Sequence, residues 1–146
     1  MKFDALSPRV ENALYKAIVR NHMAMSPQCI ANTIHGLSNQ RARWARLPLY
    51  VRVALTDALE RSVKKFGEQD VTNCISGLGR LGAEWAELTQ QQRRLLGDAF
   101  LRLLPDLGTK GLAMSVHGLG RMNADFQVGF TGPRGTDDGD VSECQV

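Results

Sequence analysis

Apolar residues follow two alternating helical patterns along the chain, and the pair of patterns repeats every 41 residues. The longer pattern has the spacing i, i+3, i+4, i+7, i+8 of one helical face. Its members in the middle copy are Val51, Ala54, Leu55, Ala58 and Leu59. The shorter pattern has the spacing i, i+3, i+4, i+7, and its members there are Val71, Cys74, Ile75 and Leu78. The sequence therefore predicts a longer helix A and a shorter helix B in every copy.

Glycine-leucine pairs and aromatic residues keep the register of the repeat without a gap. The pairs are Gly36-Leu37, Gly77-Leu78 and Gly118-Leu119, and the aromatic residues are Phe3, Trp44, Trp85 and Phe126. A fixed period of this size is typical of a solenoid, in which each unit packs only on its neighbours. We predict an all-α fold, an α-α superhelix (solenoid) of about three helical-hairpin repeats. The solenoid spans residues 1–126, with units at about 3–43, 44–84 and 85–125, and residues 127–146 form a glycine-rich acidic tail.

Residues that tolerate the left-handed backbone conformation recur between the predicted helices. Gly67 and Gly108 are 41 residues apart, and we predict that each of them ends a helix A. Gly82 and Asn123 are also 41 residues apart, and we predict that each of them ends a helix B. These residues therefore mark the expected boundaries of the helices.

Three further glycines fall inside helix B at one repeat position, namely Gly36, Gly77 and Gly118. Glycine in a helix interior costs about 1 kcal/mol relative to alanine. Its recurrence there indicates that a neighbouring backbone or a large side chain packs where a Cβ atom would clash. Cys74 lies on the apolar face of helix B, and we predict that it is a small core residue.

Charge is unevenly distributed along the 146 residues. Residues 1–126 carry 17 Lys and Arg against 11 Asp and Glu, whereas residues 127–146 carry one arginine against four acids. A basic body with an acidic tail fits a nucleic-acid partner or another acidic partner. No apolar run approaches the roughly 18 residues that a membrane helix requires, so we expect no membrane partner.

The helix B segments share a string of residue types. Residues 71–82 read Val-Thr-Asn-Cys-Ile-Ser-Gly-Leu-Gly-Arg-Leu-Gly, and residues 30–37 and 112–122 repeat much of this text, with Trp85 and Leu88 following the middle copy. Over about residues 3–126 the chain resembles the octotricopeptide and heptatricopeptide class of organellar helical repeats, although that class has a slightly shorter period. The resemblance implies an RNA-associated protein of the mitochondrion, or alternatively of the plastid. Such a protein is either an RNA-processing factor or a repeat protein built into an organellar ribosome.

One candidate RNA-binding feature is a row of arginines on the flank of helix A. Arg20, Arg61 and Arg102 occupy the same repeat position. Stacked helices lie about 8–10 Å apart, so these side chains would form a ladder along one surface. In one interpretation, the guanidinium groups bind RNA phosphates, which suits their fork geometry. In the alternative, each stem packs over the apolar face and the charge pairs with an acid of a neighbouring unit.

A second candidate is the basic turn that contains Arg41, Arg43 and Arg46 around Trp44. A basic loop with an aromatic residue can neutralise phosphates and stack bases. Trp44 is in register with Trp85, whose neighbours are acidic, so a structural role is the alternative for the tryptophans. The arginines are not in register and are freer to bind RNA phosphates.

Catalytic motifs are not found in the sequence. His35 and His117 share a repeat position, but no partner for acid–base or metal chemistry converges on them. We expect no enzyme activity, no cofactor and no bound metal. The expected function is that of an RNA-associated structural protein of an organellar ribonucleoprotein, such as a mitochondrial ribosome, with neighbouring proteins at the solenoid ends and the acidic tail. The alternative is a HEAT- or armadillo-like protein–protein scaffold without RNA contact, whose period near 40–47 residues matches this one.

Overall fold

Six α-helices make up the part of the chain that the computed structural model describes, residues 6–124. They are α1 (Pro8–Asn21), α2 (Pro27–Asn39), α3 (Leu49–Ser62), α4 (Glu68–Leu81), α5 (Gln90–Leu103) and α6 (Thr109–Arg121). The odd-numbered helices are the A helices and the even-numbered ones are the B helices, so the predicted all-α helical repeat is confirmed. Phe3, Phe126 and the tail at 127–146 lie outside the described residues.

Each helix A runs into a 3-10 turn before the chain enters helix B. The turns are His22–Ala24, Val63–Lys65 and Leu104–Asp106. The predicted role of Gly67 and Gly108 as left-handed ends of helix A is therefore wrong. Gly67 has φ −94° and ψ −177°, and Gly108 has φ −70° and ψ 172°, which is extended backbone. Both are N-caps of helix B, like Ser26, whose hydroxyl accepts a hydrogen bond from the backbone N–H of Cys29 at 3.2 Å.

The core is a continuous apolar layer between the A and B helices. Val51, Leu55 and Leu59 of α3 are buried in it together with Ile75 and Leu78 of α4. These residues lie on the faces that the two sequence patterns predict. Burying one Leu, Ile or Val side chain stabilises a fold by about 1.5–3 kcal/mol, so this layer is the main source of stability.

The B helices form a close stack in which α4 lies between α2 and α6. A Cβ atom added at Gly118 would lie 2.6 Å from the carbonyl oxygen of Ile75, and one added at Gly77 would lie 2.8 Å from Cγ2 of Ile34. The predicted packing role is therefore confirmed for Gly77 and Gly118. It is wrong for Gly36, where an added Cβ would meet nothing within 4 Å, because no described helix B precedes α2.

Trp44 and Trp85 are buried in the core, each at the start of a 3-10 turn between units. Their burial confirms the structural alternative and removes Trp44 as an exposed platform for RNA bases. Cys74 is fully buried, and its burial raises the pKa of the thiol well above the ordinary value. It is the small core residue that the sequence predicts.

Candidate nucleic-acid interface

An open cleft of about 460 Å³ lies at the edge of the molecule where the B helices end. Its lining residues are Ser38, Asn39, Arg41, Ala42, Arg43, Arg80 and Arg121. Four of these seven residues are arginines, and none of the seven is acidic. We call this site the arginine cleft. A concave site that is lined by charges of one sign focuses the electrostatic field and attracts ligands of the opposite sign.

The repeat brings Arg80 and Arg121 to the cleft, because they lie 41 residues apart in the last turns of α4 and α6. Asn39 has the same repeat position at the end of α2. Nη1 of Arg80 donates a hydrogen bond to Oδ1 of Asn39 at 3.0 Å. This bond joins the ends of two neighbouring B helices and fixes the guanidinium group of Arg80 at the cleft. Arg80 and Arg121 are exposed, as contact with a ligand requires.

Arg41 adopts the left-handed backbone conformation, with φ 59°. The residues at the same repeat position, Gly82 and Asn123, have φ 79° and φ 53°, which confirms the predicted left-handed ends of helix B. Glycine adopts this conformation without steric cost, whereas most other residues lose about 1–2 kcal/mol. Strained backbone of this kind is concentrated at binding and catalytic sites. The presence of an arginine at a position that suits glycine therefore favours a binding role for its side chain.

Replacing Arg41 by glycine should raise stability and weaken the RNA binding that the sequence predicts. Glycine removes the steric cost of the left-handed conformation, so we expect the free energy of unfolding to rise by roughly 1 kcal/mol. Urea denaturation measures this change, and fluorescence anisotropy with a labelled single-stranded RNA measures the affinity. A stabilised variant with unchanged affinity would show that Arg41 does not contact the ligand.

The ends of three helices weaken the positive field of the cleft without cancelling it. A helix C-terminus is equivalent to roughly −0.5 elementary charge, and α2, α4 and α6 all end here. The four guanidinium groups carry one positive charge each, which leaves a sum of roughly +2.5 charges. Basic side chains also stabilise helix C-termini. Arg80 and Arg121 therefore stabilise the ends of α4 and α6 as well as contributing positive charge to the cleft.

The predicted arginine ladder of helix A does not line the cleft. Nη2 of Arg61 donates a hydrogen bond to the carbonyl oxygen of His22 at 3.0 Å, and Nη2 of Arg102 donates one to that of Phe66 at 3.1 Å. Each guanidinium group thus binds a carbonyl at the 3-10 turn of the preceding unit. These contacts favour a packing role for Arg61 and Arg102, whose partners in the preceding unit are backbone carbonyl groups rather than the expected acid. Arg61 also forms an ion pair with Asp57 of its own helix, at 3.6 Å. Arg20 is exposed, and no described unit precedes it.

The predicted basic turn contributes two of its three arginines to the cleft. Arg41 and Arg43 line it, whereas Arg46 is exposed in the same turn but outside the lining. Sequence reasoning missed Arg80 and Arg121 as candidate ligands. Their common repeat position beside a predicted helix end was the signal that could have identified them.

Residues 6–124 contain neither a cluster of metal-ligating side chains nor a membrane-spanning helix. No group of three or more His, Cys, Asp and Glu side chains is placed there to hold a metal ion. Over the same residues, no helix combines the length and the apolarity that a bilayer crossing demands.

Comparisons with models of protein families, with curated proteins and with solved structures find no match to this chain. The grounds for assigning a function are therefore the geometry and charge of the arginine cleft, together with the resemblance of the repeat.

Proposed function

We propose that the chain is an RNA-associated structural protein that binds the phosphate backbone of single-stranded RNA in the arginine cleft. The observation that carries this proposal is the convergence of four arginines on one concave site whose lining contains no acid. Guanidinium groups bind phosphate oxygens through paired, charge-assisted hydrogen bonds. RNA supplies a row of such phosphates along one flexible strand.

Phosphate contact is better supported than the reading of bases. Trp44 and Trp85 are buried, so neither indole ring is available for stacking on a base. Within the cleft lining, the uncharged polar side chains are those of Ser38 and Asn39, and Asn39 already accepts a hydrogen bond from Arg80. Contacts to phosphates carry no direct sequence information. Affinity should therefore depend strongly on charge and little on RNA sequence.

The resemblance of helix B to octotricopeptide and heptatricopeptide repeats supports an organellar ribonucleoprotein as the setting. We place the protein in the mitochondrion, with the plastid as the alternative, in an assembly such as a mitochondrial ribosome. The excess of basic residues over residues 1–126 fits a protein that lies against RNA. Neighbouring protein chains of the assembly, a second copy of this chain among them, would contact the exposed ends of the solenoid and the acidic tail.

Copurification with and without ribonuclease tests the proposal in cells. We expect the tagged chain to sediment with RNA-containing particles and to be released from them by ribonuclease. The double variant Arg80→Gln, Arg121→Gln tests the cleft itself, and it should be lost from the same fractions while remaining folded. Retention of protein partners after ribonuclease treatment, without recovery of RNA, would favour the HEAT- or armadillo-like scaffold instead.

A further inference from the structure

The two ends of the described helical stack expose apolar residues whose counterparts in the middle unit are buried. On the first unit, Val10 is 51% exposed, whereas Val51, one repeat later, is fully buried. On the last unit, Val116 is 52% exposed, whereas Ile75, one repeat earlier, is fully buried. Each end therefore presents a face that a neighbouring unit covers elsewhere in the same chain.

The glycines of the B helices show the same contrast. A Cβ atom added at Gly79 of α4 would lie 2.6 Å from the carbonyl oxygen of Gly118 in α6, so these two glycines form a close contact between neighbouring units. Gly120 lies one repeat after Gly79, and Gly36 lies two repeats before Gly118. An added Cβ at Gly120 or at Gly36 would meet nothing within 4 Å. The last B helix thus carries one half of the glycine contact, and the first B helix carries the other half.

The arginines of the helix A ladder show the same contrast between the ends and the interior of the stack. Arg61 and Arg102 donate hydrogen bonds to carbonyl groups of the preceding unit. Arg20 is exposed and makes no hydrogen bond or ion pair with a described residue. The carbonyl groups that Arg102 binds have their counterparts, one repeat later, in Pro105 and Leu107. Among residues 6–124, the first unit therefore has a donor without a partner, and the last unit has the carbonyl groups that would accept from it.

We infer that these two faces bind each other, so that the first unit of one copy of the chain docks on the third unit of a second copy. The docking repeats the geometry that joins neighbouring units within the chain. Gly36 and Arg20 of one copy would then pack on Gly120 and on the carbonyl groups of Pro105 and Leu107 of the other. A second copy is the occupant that the structure supports, because one chain carries both halves of the contact at matching repeat positions.

This contact joins two different surfaces, so it is a heterologous, head-to-tail contact. Such contacts build rings or open rows of copies rather than a symmetric dimer. The inference does not depend on RNA binding, because none of the four arginines of the cleft takes part in it. The inference can therefore fail while the proposed function stands, and the proposed function can fail while the inference stands.

Two single substitutions each disrupt one of the two end faces. Gly36→Leu adds a side chain where the described residues leave open space, so the fold of one copy should be kept. Val116→Lys places a charge on the other face, at a position that is already exposed. Circular dichroism checks that each variant is folded. Gly36→Ala adds only one methyl group at the same position, and it is the milder control for Gly36→Leu.

Sedimentation velocity over a wide range of protein concentrations measures the association. We expect the wild-type chain to form dimers and longer rows as its concentration rises. Each variant alone should lose every species larger than the monomer. An equal mixture of Gly36→Leu and Val116→Lys should form a dimer that does not grow, because one intact face remains on each variant. The inference is overturned by a wild-type chain that stays monomeric, by variants that still associate, or by a mixture that stays monomeric.

Discussion

Gly118→Leu should lower the free energy of unfolding by about 3 kcal/mol or prevent folding, whereas Gly36→Leu at the same repeat position should lower it little or not at all. A Cβ atom at Gly118 would lie 2.6 Å from the carbonyl oxygen of Ile75 and 2.9 Å from its carbonyl carbon. These are backbone atoms, so they cannot move aside without separating α4 from α6. At Gly36 the same atom meets open space.

Gly77→Leu should also be destabilising, by about 2–3 kcal/mol. Its added Cβ would lie 2.8 Å from the Cγ2 methyl of Ile34 and 3.2 Å from the backbone of His35, and the methyl group can move more easily than a backbone. Urea denaturation of the three variants, at a protein concentration where the chain is monomeric, measures the order of the effects. Equal losses at Gly36 and Gly118 would contradict the close stack of B helices.

Replacing all four arginines of the cleft should lower the affinity for single-stranded RNA by at least about 100-fold, which is about 2.8 kcal/mol. The variant carries Gln at positions 41, 43, 80 and 121. A 100-fold loss corresponds to about 0.7 kcal/mol per guanidinium group, which is below the roughly 1.5–3 kcal/mol typical of a hydrogen bond to a charged group. Fluorescence anisotropy with one labelled oligonucleotide measures the two affinities under the same salt conditions.

A second fourfold variant is the matched control, because it removes the same number of positive charges outside the cleft. It carries Gln at positions 20, 46, 61 and 102, the remaining arginines that the sequence suggests as phosphate ligands. We expect it to lose some stability through Arg61 and Arg102 but to keep most of its affinity for RNA. Equal weakening in both variants would show that net charge, and not the cleft, governs binding.

The sequence is sufficient to predict the helices and their buried faces, because both depend on spacing along one helix. Val51, Leu55 and Leu59 lie on the predicted face of α3, and all three are buried. The error at Gly67 has a physical cause. A glycine between two helices can end the first helix or precede the second, and the two roles differ only in backbone angles that composition does not reveal. The 3-10 turn Val63–Lys65 takes up the intervening residues and leaves Gly67 as an N-cap.

The candidate site could be predicted only in part, because it forms where separate units meet. Arg41 and Arg43 are close in sequence and were identifiable as a basic cluster. Arg80 and Arg121 join them only because stacked B helices end along one edge. The same dependence on neighbours explains Gly36, which has the sequence pattern of a packing glycine but no described helix against it.

The salt dependence of RNA binding tests most directly whether the arginine cleft binds RNA phosphates. The association constant of the wild-type chain with a short single-stranded RNA is measured by anisotropy at several salt concentrations. If each of the four arginines neutralises one phosphate, the logarithm of the constant should fall with the logarithm of salt concentration with a slope of about −2.8. Arg80→Gln, Arg121→Gln should bring this slope to about −1.4. The absence of binding, or the same slope for both proteins, would contradict the account.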